Sequence, residues 1–275
     1  MSVDQYAVFG NPIKHSRSPQ IHESFAEQSG EAIEYHKQCV DVDGFNDAVK
    51  QFFAASGKGL NITVPFKLEA YELADTLTKR ARQAGAVNTL ALQSDGTIVG
   101  DNTDGVGMVR DITEHLVWPI KGKRVLILGA GGAVRGVLGP VLEQCPASVV
   151  IANRTASKAA SLAKAFDGDC RVVGCGYEAL EGFAFDLIIN GTSASLAGDL
   201  PPLSAQLLAP GARCYDMMYG SEATVFMRWA GEHGAITADG LGMLVGQAAE
   251  SFALWRGVTP AVKPVIAAIR QQLAG

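Results

Sequence analysis

The stretch NITVPFK, residues 61–67, puts a lysine just behind a proline. Pro65 suits the first position of a helix, because its ring presets φ and its missing N–H has no partner to lose there. Lys67 then falls in the first turn. A helix N-terminus carries roughly +0.5 of a charge, which disfavours a cation. A lysine set against that field is a candidate for exchanging a proton. Other polar groups fall where strands should end: Ser16 and Ser18 in HSRSP, Asn61 and Thr63 in NIT, Asn88 and Thr89 in AVNT, and Asp101, Asn102 and Asp104 in DNTDG. Gln247 interrupts an apolar helical stretch near the end. Each has a plain reading: Ser18 as an N-cap, Asn88 as a turn residue, Gln247 as a surface position. Ser16 and Ser18 at a helix start also make a natural seat for a carboxylate or another anion. Together the set offers many donors and acceptors and few aromatic rings, which suits a small polyhydroxylated acid.

A second cluster is built from glycine. RVLILGAGGAVRGV, residues 124–137, reads as a strand, a turn and a helix start, with Gly129 and Gly131 in the first two positions of G-x-G-x-x-G. Such a turn brings the backbone close to a pyrophosphate seated at the helix N-terminus. Val134 holds the third position, where Gly or Ala is usual, and an ordinary strand–helix turn could look the same. The next strand ends in ANRTASK, residues 152–158. NAD sites usually place an acid about 20 residues past the glycines, on the ribose hydroxyls. Here stand Asn153, Arg154 and Thr155, then Lys158. Two cations and a hydroxyl suit a 2′-phosphate, which predicts NADP rather than NAD. A solvated helix start would carry the same residues.

The elements that must position these groups alternate between β-rich and helical runs. Strands are expected at 6–10, 33–40, 59–63, 124–129, 148–153, 185–190, 212–217 and 235–238, with a hairpin of 86–93 and 97–100 across SDG. Helices are expected at 18–30, with Ser18 as N-cap and Gly30 after its end, at 43–55, at 65–75, and from about 241 onward. Apolar runs bounded on both sides suggest parallel sheets covered by helices, hence α/β architecture throughout. The glycine turn leaves roughly 120 residues before it. In a two-domain dehydrogenase those residues would bind the substrate, with the chemistry in a cleft between domains. DNTDG, at 101–105, is the expected hinge.

Composition narrows the classes further. The 275 residues favour two domains, and 48 % apolar with 19 % charged residues is enough for a core. A net charge of −5 with interspersed signs gives no nucleic-acid surface or basic membrane patch. No apolar run reaches the ~18 residues of a membrane span. The start, MSVDQYAVFG, lacks a basic n-region and does not read as a signal peptide. Five scattered cysteines without C-x-x-C read as reduced and mostly buried, which argues for a cytoplasmic protein without disulfides or zinc. Five scattered histidines show no metal-binding spacing, and no metal is expected.

Nine segments together resemble the shikimate dehydrogenase family: GNPIKHSRSPQIHE, NITVPFK, AGAVNTL, GDNTDG, GAGGAVRG, NRT, INGTSA, YDMMY and ADGLGMLVGQAA. They occur in the family's order and spread over nearly the whole chain, starting at about residue 10. The resemblance implies an N-terminal α/β substrate domain, residues 1–104, joined by C-terminal helices at 241–275. It implies a Rossmann-like parallel-sheet NADP domain at 105–240. The implied reaction is the reversible NADPH-dependent reduction of 3-dehydroshikimate to shikimate, on the chorismate route to aromatic amino acids. Lys67 and Asp104 match the catalytic pair. Ser16 and Ser18 match the residues that hold the shikimate carboxylate, assisted by Tyr219. Thr63, Asn88 and Gln247 match residues on the ring hydroxyls, with Asn61 beside them. Gly129, Ala130, Gly131, Gly132 and Ala133 match the pyrophosphate loop. Asn153, Arg154, Thr155 and Lys158 match the adenosine-phosphate clamp, and Thr192, Met217 and Gly240 lie toward the nicotinamide. Val134 replaces a small polar residue. Lys158 stands where an arginine is frequent and lacks its bidentate fork.

Two rival readings remain open. One is a sibling enzyme of the same fold that accepts quinate or NAD, against which the NRT clamp argues. The other is a non-catalytic metabolite-binding module, against which the Lys67 and Asp104 pair argues. A short-chain dehydrogenase is excluded, since the chain contains no Y-x-x-x-K. The sequence does not fix which of Lys67 and Asp104 takes the proton. Oligomeric state, a homodimer included, is likewise open.

Overall fold

The computed structural model describes residues 3–166, 170–192, 194 and 198–275. Ser193, in INGTSA, lies outside them. The chain forms two compact units, Met1–Gly107 with Val245–Ala267, and Met108–Leu244 with Ala268–Gly275.

The first unit holds a six-stranded sheet of β1 (Asp4–Gly10), β2 (Ile33–Cys39), β3 (Gly57–Ile62), β4 (Thr76–Leu77), β5 (Thr89–Leu92) and β6 (Ile98–Asp101), in the order β2-β1-β3-β5-β6-β4. β1 pairs parallel with β2 and β3, whereas β5 runs antiparallel to both β3 and β6. The sheet is therefore mixed rather than wholly parallel. The reason lies in the link between β5 and β6: a tight turn can join only antiparallel neighbours. That turn is held by Asp95, whose carboxylate accepts from the Thr97 N–H and hydroxyl. Helices α1 (Ser18–Ser29), α2 (Phe45–Ala54), α3 (Lys67–Leu73) and α4 (Lys79–Ala84) follow the strands. Phe9, Phe45, Val49, Leu60, Phe66, Val87 and Leu90 form the core, with Phe45 and Phe66 stacked at 4.9 Å. Each such side chain contributes roughly 1.5–3 kcal/mol on burial.

Two helix starts differ from expectation. α1 is capped at Arg17, so Ser18 is its first residue and not its N-cap. α3 begins at Lys67 with Phe66 as its cap, and Pro65 lies in the preceding turn. At α1 the Ser18 hydroxyl is thereby freed from capping and meets Ser16 instead.

The second unit holds β7 (Arg124–Leu128), β8 (Ser148–Ala152), β9 (Val172–Cys175), β10 (Phe185–Asn190), β11 (Leu208–Asp216) and β12 (Ile236–Asp239). All pairs are parallel, in the order β12-β11-β10-β7-β8-β9. This is the doubly wound order, whose switch point falls between β7 and β10. Val125, Leu126, Ile127 and Leu128 are fully buried, as expected for a strand covered on both faces. The unit's other elements include α5 (Asp104–Arg110), which crosses its boundary, α6 (Gly132–Leu142), α7 (Ala156–Lys164) and α8 (Val225–Glu232). At the C-terminal end, α9 (Leu241–Arg256) and α10 (Val262–Ala274) each contribute to both units.

Among the described residues no helix is long and apolar enough to cross a membrane. All five cysteines are free, but only Cys214 is buried, and Cys39 and Cys145 are exposed. The expectation of mostly buried thiols thus fails, because Cys39 ends a solvent-facing edge strand and Cys145 sits in the turn after α6.

Candidate functional site

Lys67 and Asp104 come together at the start of α3 and α5. Lys67 Nζ donates to Asp104 Oδ2 at 2.5 Å, with the lysine side chain 30 % exposed and the aspartate 13 %. The other carboxylate oxygen, Oδ1, accepts from Asn88 Nδ2 at 2.8 Å. Backbone ties hold the supporting turns in register. Lys67 O accepts from Val87 N, Asn88 O from Ile62 N, and Asp101 O from Asn88 N. Asn88 Oδ1 accepts from Thr103 N at 2.9 Å and from Thr89 Oγ1 at 2.9 Å, which fixes its amide. Asn88 is only 2 % exposed.

Behind this pair lies a buried polar network. Asn61 Oδ1 accepts from Tyr35 Oη at 2.7 Å and meets His22 Nε2 at 3.1 Å. Its Nδ2 donates to Ser251 Oγ at 2.9 Å and faces Thr89 Oγ1 at 3.3 Å. The amide's hydrogen-bonding capacity is met by protein, so Asn61 stands behind the polar surface rather than on it. Burial holds His22 neutral, with its pKa pushed down to about 3 against the Asn61 bond. Neutral His22 then donates from Nε2, and its unpartnered Nδ1 is a bare lone pair rather than an orphaned N–H. Its ring stacks on Tyr35 at 4.3 Å. Burial raises Tyr35 well above the usual phenol value, opposed by a hydrogen bond with Ser18. The network therefore runs from Ser18 through Tyr35 and Asn61 to Ser251, Thr89 and Asn88.

Ser16 Oγ bonds both the Ser18 hydroxyl, at 3.2 Å, and the Ser18 N–H, at 3.3 Å. Thr63 is half-buried, its N–H on Phe9 O and its carbonyl accepting from Phe66 N. Gln247, half-buried on α9, places Oε1 3.5 Å from Asn88 Nδ2. One turn on, Ser251 is fully buried and touches Asn61, Thr89 and the Gln247 carbonyl. Asp101 supports the turn that carries Asp104. Burial would raise its carboxyl, but the Arg80 guanidinium, Thr78 and the Asn102 N–H outweigh that and hold it below the usual value.

The second unit gathers the glycine residues and their neighbours at the carboxyl ends of its strands. Gly129 takes a φ of 103°, and its N–H bonds Ala152 O at 2.8 Å. A Cβ at Gly131 or Gly132 would meet nothing within 4 Å, so both flank open space at the start of α6. That open loop and helix start fit a dinucleotide pyrophosphate, with Ala130 and Ala133 as its remaining members. Val134 is fully buried, and a Cβ at Gly191 would lie 2.5 Å from its Cγ2. The third-position departure is therefore compensated across the switch point: a larger side chain meets a glycine. Asn153 is half-buried and donates to Thr155 O at 3.0 Å, while Arg154, Thr155 and Lys158 are exposed.

At β10 and β11 the sequence reading overlooked two buried residues. Asn190 Oδ1 accepts from the Thr192 N–H and hydroxyl, and its Nδ2 donates to Asp216 Oδ1. Asp216 also accepts from Met218 N and Thr224 Oγ1. The pair fixes the strand ends that carry Thr192 and Met217. A Cβ at Gly240 would lie 2.2 Å from Met217 O, so only glycine allows that approach. The signal was present for Asn190, which closes the apolar run LII, and weaker for Asp216, whose strand also carries Arg213. Tyr219 belongs to this unit and lines a groove of about 410 Å³ with Met218, Ser221 and Thr224.

Comparisons with known proteins agree along the chain. Residues 8–90 match the model of the shikimate dehydrogenase substrate binding domain, 111–197 that of shikimate / quinate 5-dehydrogenase, and 240–270 that of the shikimate 5′-dehydrogenase C-terminal domain. A protein of Cellvibrio japonicus named shikimate dehydrogenase (NADP(+)) is 64 % identical over 98 % of both chains. An Ael1 enzyme from Pseudomonas putida superimposes with a TM-score of 0.93 at 49 % identity, covering 99 % of this chain and 98 % of its own. Shikimate 5-dehydrogenase from Thermus thermophilus, solved with NADP(H) and shikimate, gives 0.87 at 32 % identity over 98 % of this chain and all of its own.

Proposed function

Since the chain belongs to the shikimate dehydrogenase family, we propose that it catalyses the reversible reduction of 3-dehydroshikimate to shikimate with NADPH. The first unit is read as the substrate-binding part and the second as the NADP-binding part. The observation that carries the reading is a lysine ammonium on one oxygen of a carboxylate whose other oxygen is held by an asparagine.

The bound nucleotide supplies the hydride. The chain's own residues handle the proton. As the substrate carbonyl is reduced, negative charge develops on its oxygen, and Lys67 donates a hydrogen bond and then a proton there. In the oxidative direction neutral Lys67 accepts the hydroxyl proton. Asp104 accepts one hydrogen bond on each oxygen, from Lys67 and from Asn88, which leaves a lone pair on each. Its part is to aim Lys67 and to bond a ring hydroxyl. Lys67 is partly exposed and can exchange its proton with water.

Ser16 and Ser18 supply hydroxyls for the substrate carboxylate, with Tyr219 assisting. Thr63, Asn88 and Gln247 supply groups for the ring hydroxyls. Asn61 acts on the substrate indirectly, as a positioning residue for Asn88 and Ser18. Gly129–Ala133 would seat the pyrophosphate, Asn153, Arg154, Thr155 and Lys158 the adenosine phosphate, and Thr192, Met217 and Gly240 the nicotinamide end.

The test is the absorbance of reduced nicotinamide with purified protein, shikimate and NADP, with quinate and NAD in parallel. Turnover confined to shikimate and NADP is expected. Comparable turnover with quinate or NAD would move the protein to the broader sibling class. No turnover with any pair would leave a metabolite-binding module.

A further inference from the structure

We propose that Arg135 is a second cationic arm of the 2′-phosphate seat, acting with Lys158, and thereby a determinant of NADP over NAD selection. The proposal rests on the reading that the second unit binds NADP. Arg135 lies on α6, four residues past Gly131, and was not among the residues singled out from the sequence. Its side chain shares a groove of about 370 Å³ with Ala130 of the glycine turn and with Ser157, Lys158, Ser161 and Leu162 of α7. The groove thus joins the backbone expected under the pyrophosphate to the helix start expected under the adenosine phosphate.

Charge makes the groove specific. Its lining holds two cations, two hydroxyls and no carboxylate. Among the described residues neither the Arg135 guanidinium nor the Lys158 ammonium has a hydrogen-bond or ion-pair partner, although both backbone N–H groups are bonded within their helix starts. In a chain of net charge −5 carboxylates are plentiful, yet none lines this groove. Two like charges sharing a groove repel unless an anion lies between them. A phosphate monoester, carrying about −1.5 to −2 near neutral pH, is such an anion. Arg154, the other cation of the expected clamp, does not line this groove, and its charge acts on the Tyr177 phenol. Lys158 alone would offer a point charge. Arg135 adds the planar fork that matches phosphate oxygens in pairs.

The test is calorimetric binding of adenosine 2′,5′-bisphosphate and of AMP to the whole protein, with no turnover involved. The wild type should bind the bisphosphate more tightly than AMP. Arg135→Ala should weaken the bisphosphate about 10- to 100-fold, the scale of a charge-assisted pair, and leave AMP unchanged. Arg135→Lys should fall between. A bisphosphate affinity within about twofold of wild type in Arg135→Ala would overturn the proposal. An equal loss for AMP would also overturn it, by assigning Arg135 to the 5′-phosphate. If the wild type fails to distinguish the two nucleotides, the NADP reading falls and takes the Arg135 role with it. That outcome is visible before any variant is made.

Discussion

The two units build their sites by opposite means. The first uses side chains: Lys67, Asp104, Asn88, Asn61 and Ser251 are joined by hydrogen bonds, and Asn61 and Asn88 are almost wholly buried. The second uses backbone and the absence of side chains: Gly131 and Gly132 face open space, and Gly240 and Gly191 admit close neighbours. A buried network tolerates no loss, because each removed partner leaves a desolvated group behind. A glycine-built site tolerates no addition: a methyl at Gly191 or Gly240 meets a packed side chain or backbone, and one at Gly131 or Gly132 projects into the open space beside the turn. Deletions should therefore be the damaging changes in the first unit, and insertions of bulk in the second.

The largest test of that contrast is Lys67→Ala. Loss of a positioned acid–base group should cut kcat by about 10²- to 10⁴-fold. KM should change modestly and NADP binding should be unaffected, since the interaction is strongest in the transition state. Steady-state kinetics in both directions, with calorimetric NADP titration, would check it. A kcat within about tenfold of wild type would take Lys67 out of the proton path.

His22 offers the next effect and reads the network without touching the reacting groups. Its native pKa of about 3 lies below the ordinary histidine value, so the unfolded chain binds the extra proton. Its contribution is fully present above the unfolded value of ~6.5 and is lost as pH falls toward the folded value. Between those limits wild-type stability should fall about 1.4 kcal/mol per pH unit more steeply than that of His22→Gln. Urea unfolding of both proteins from pH 6 to pH 4, followed through tryptophan fluorescence, would measure the difference. Parallel slopes would mean that His22 is charged in the folded protein. Histidine NMR would then show its ring titrating in that range.

What could be read in advance follows the same division. Most strands of the second unit and its glycine turn were legible because each depends on a few consecutive residues. Strand β9, short and only partly buried, carried too weak a pattern, as did the two-residue β4. The first unit's network was less accessible. Asn61 and Ser251 are 190 positions apart, and nothing local in NIT announces that its asparagine will be consumed by tyrosine, histidine and serine. The polar residues could be noticed, but which of them face a ligand depends on partners that only the fold supplies. Arg135 was passed over for the related reason that a cation in a helix looks ordinary until its neighbours prove to hold no carboxylate.

The smallest effect tests the packing claim across the switch point. Val134→Ala should cost about 1–3 kcal/mol, since it empties space in a fully buried site. Gly191→Ala should cost a similar amount for the opposite reason. Its Cβ would lie 2.5 Å from Val134 Cγ2, 3.0 Å from Met217 Sδ and 3.3 Å from Leu128 O. In the double variant the shortened residue 134 makes room for the new methyl. The combined loss should fall short of the sum by about 1 kcal/mol, as expected for residues in contact. Denaturant unfolding of the four proteins closes the cycle. Strict additivity would show that Met217 and Leu128, rather than Val134, exclude a side chain at Gly191. The valine would then be an independent substitution in the glycine turn rather than half of an exchange.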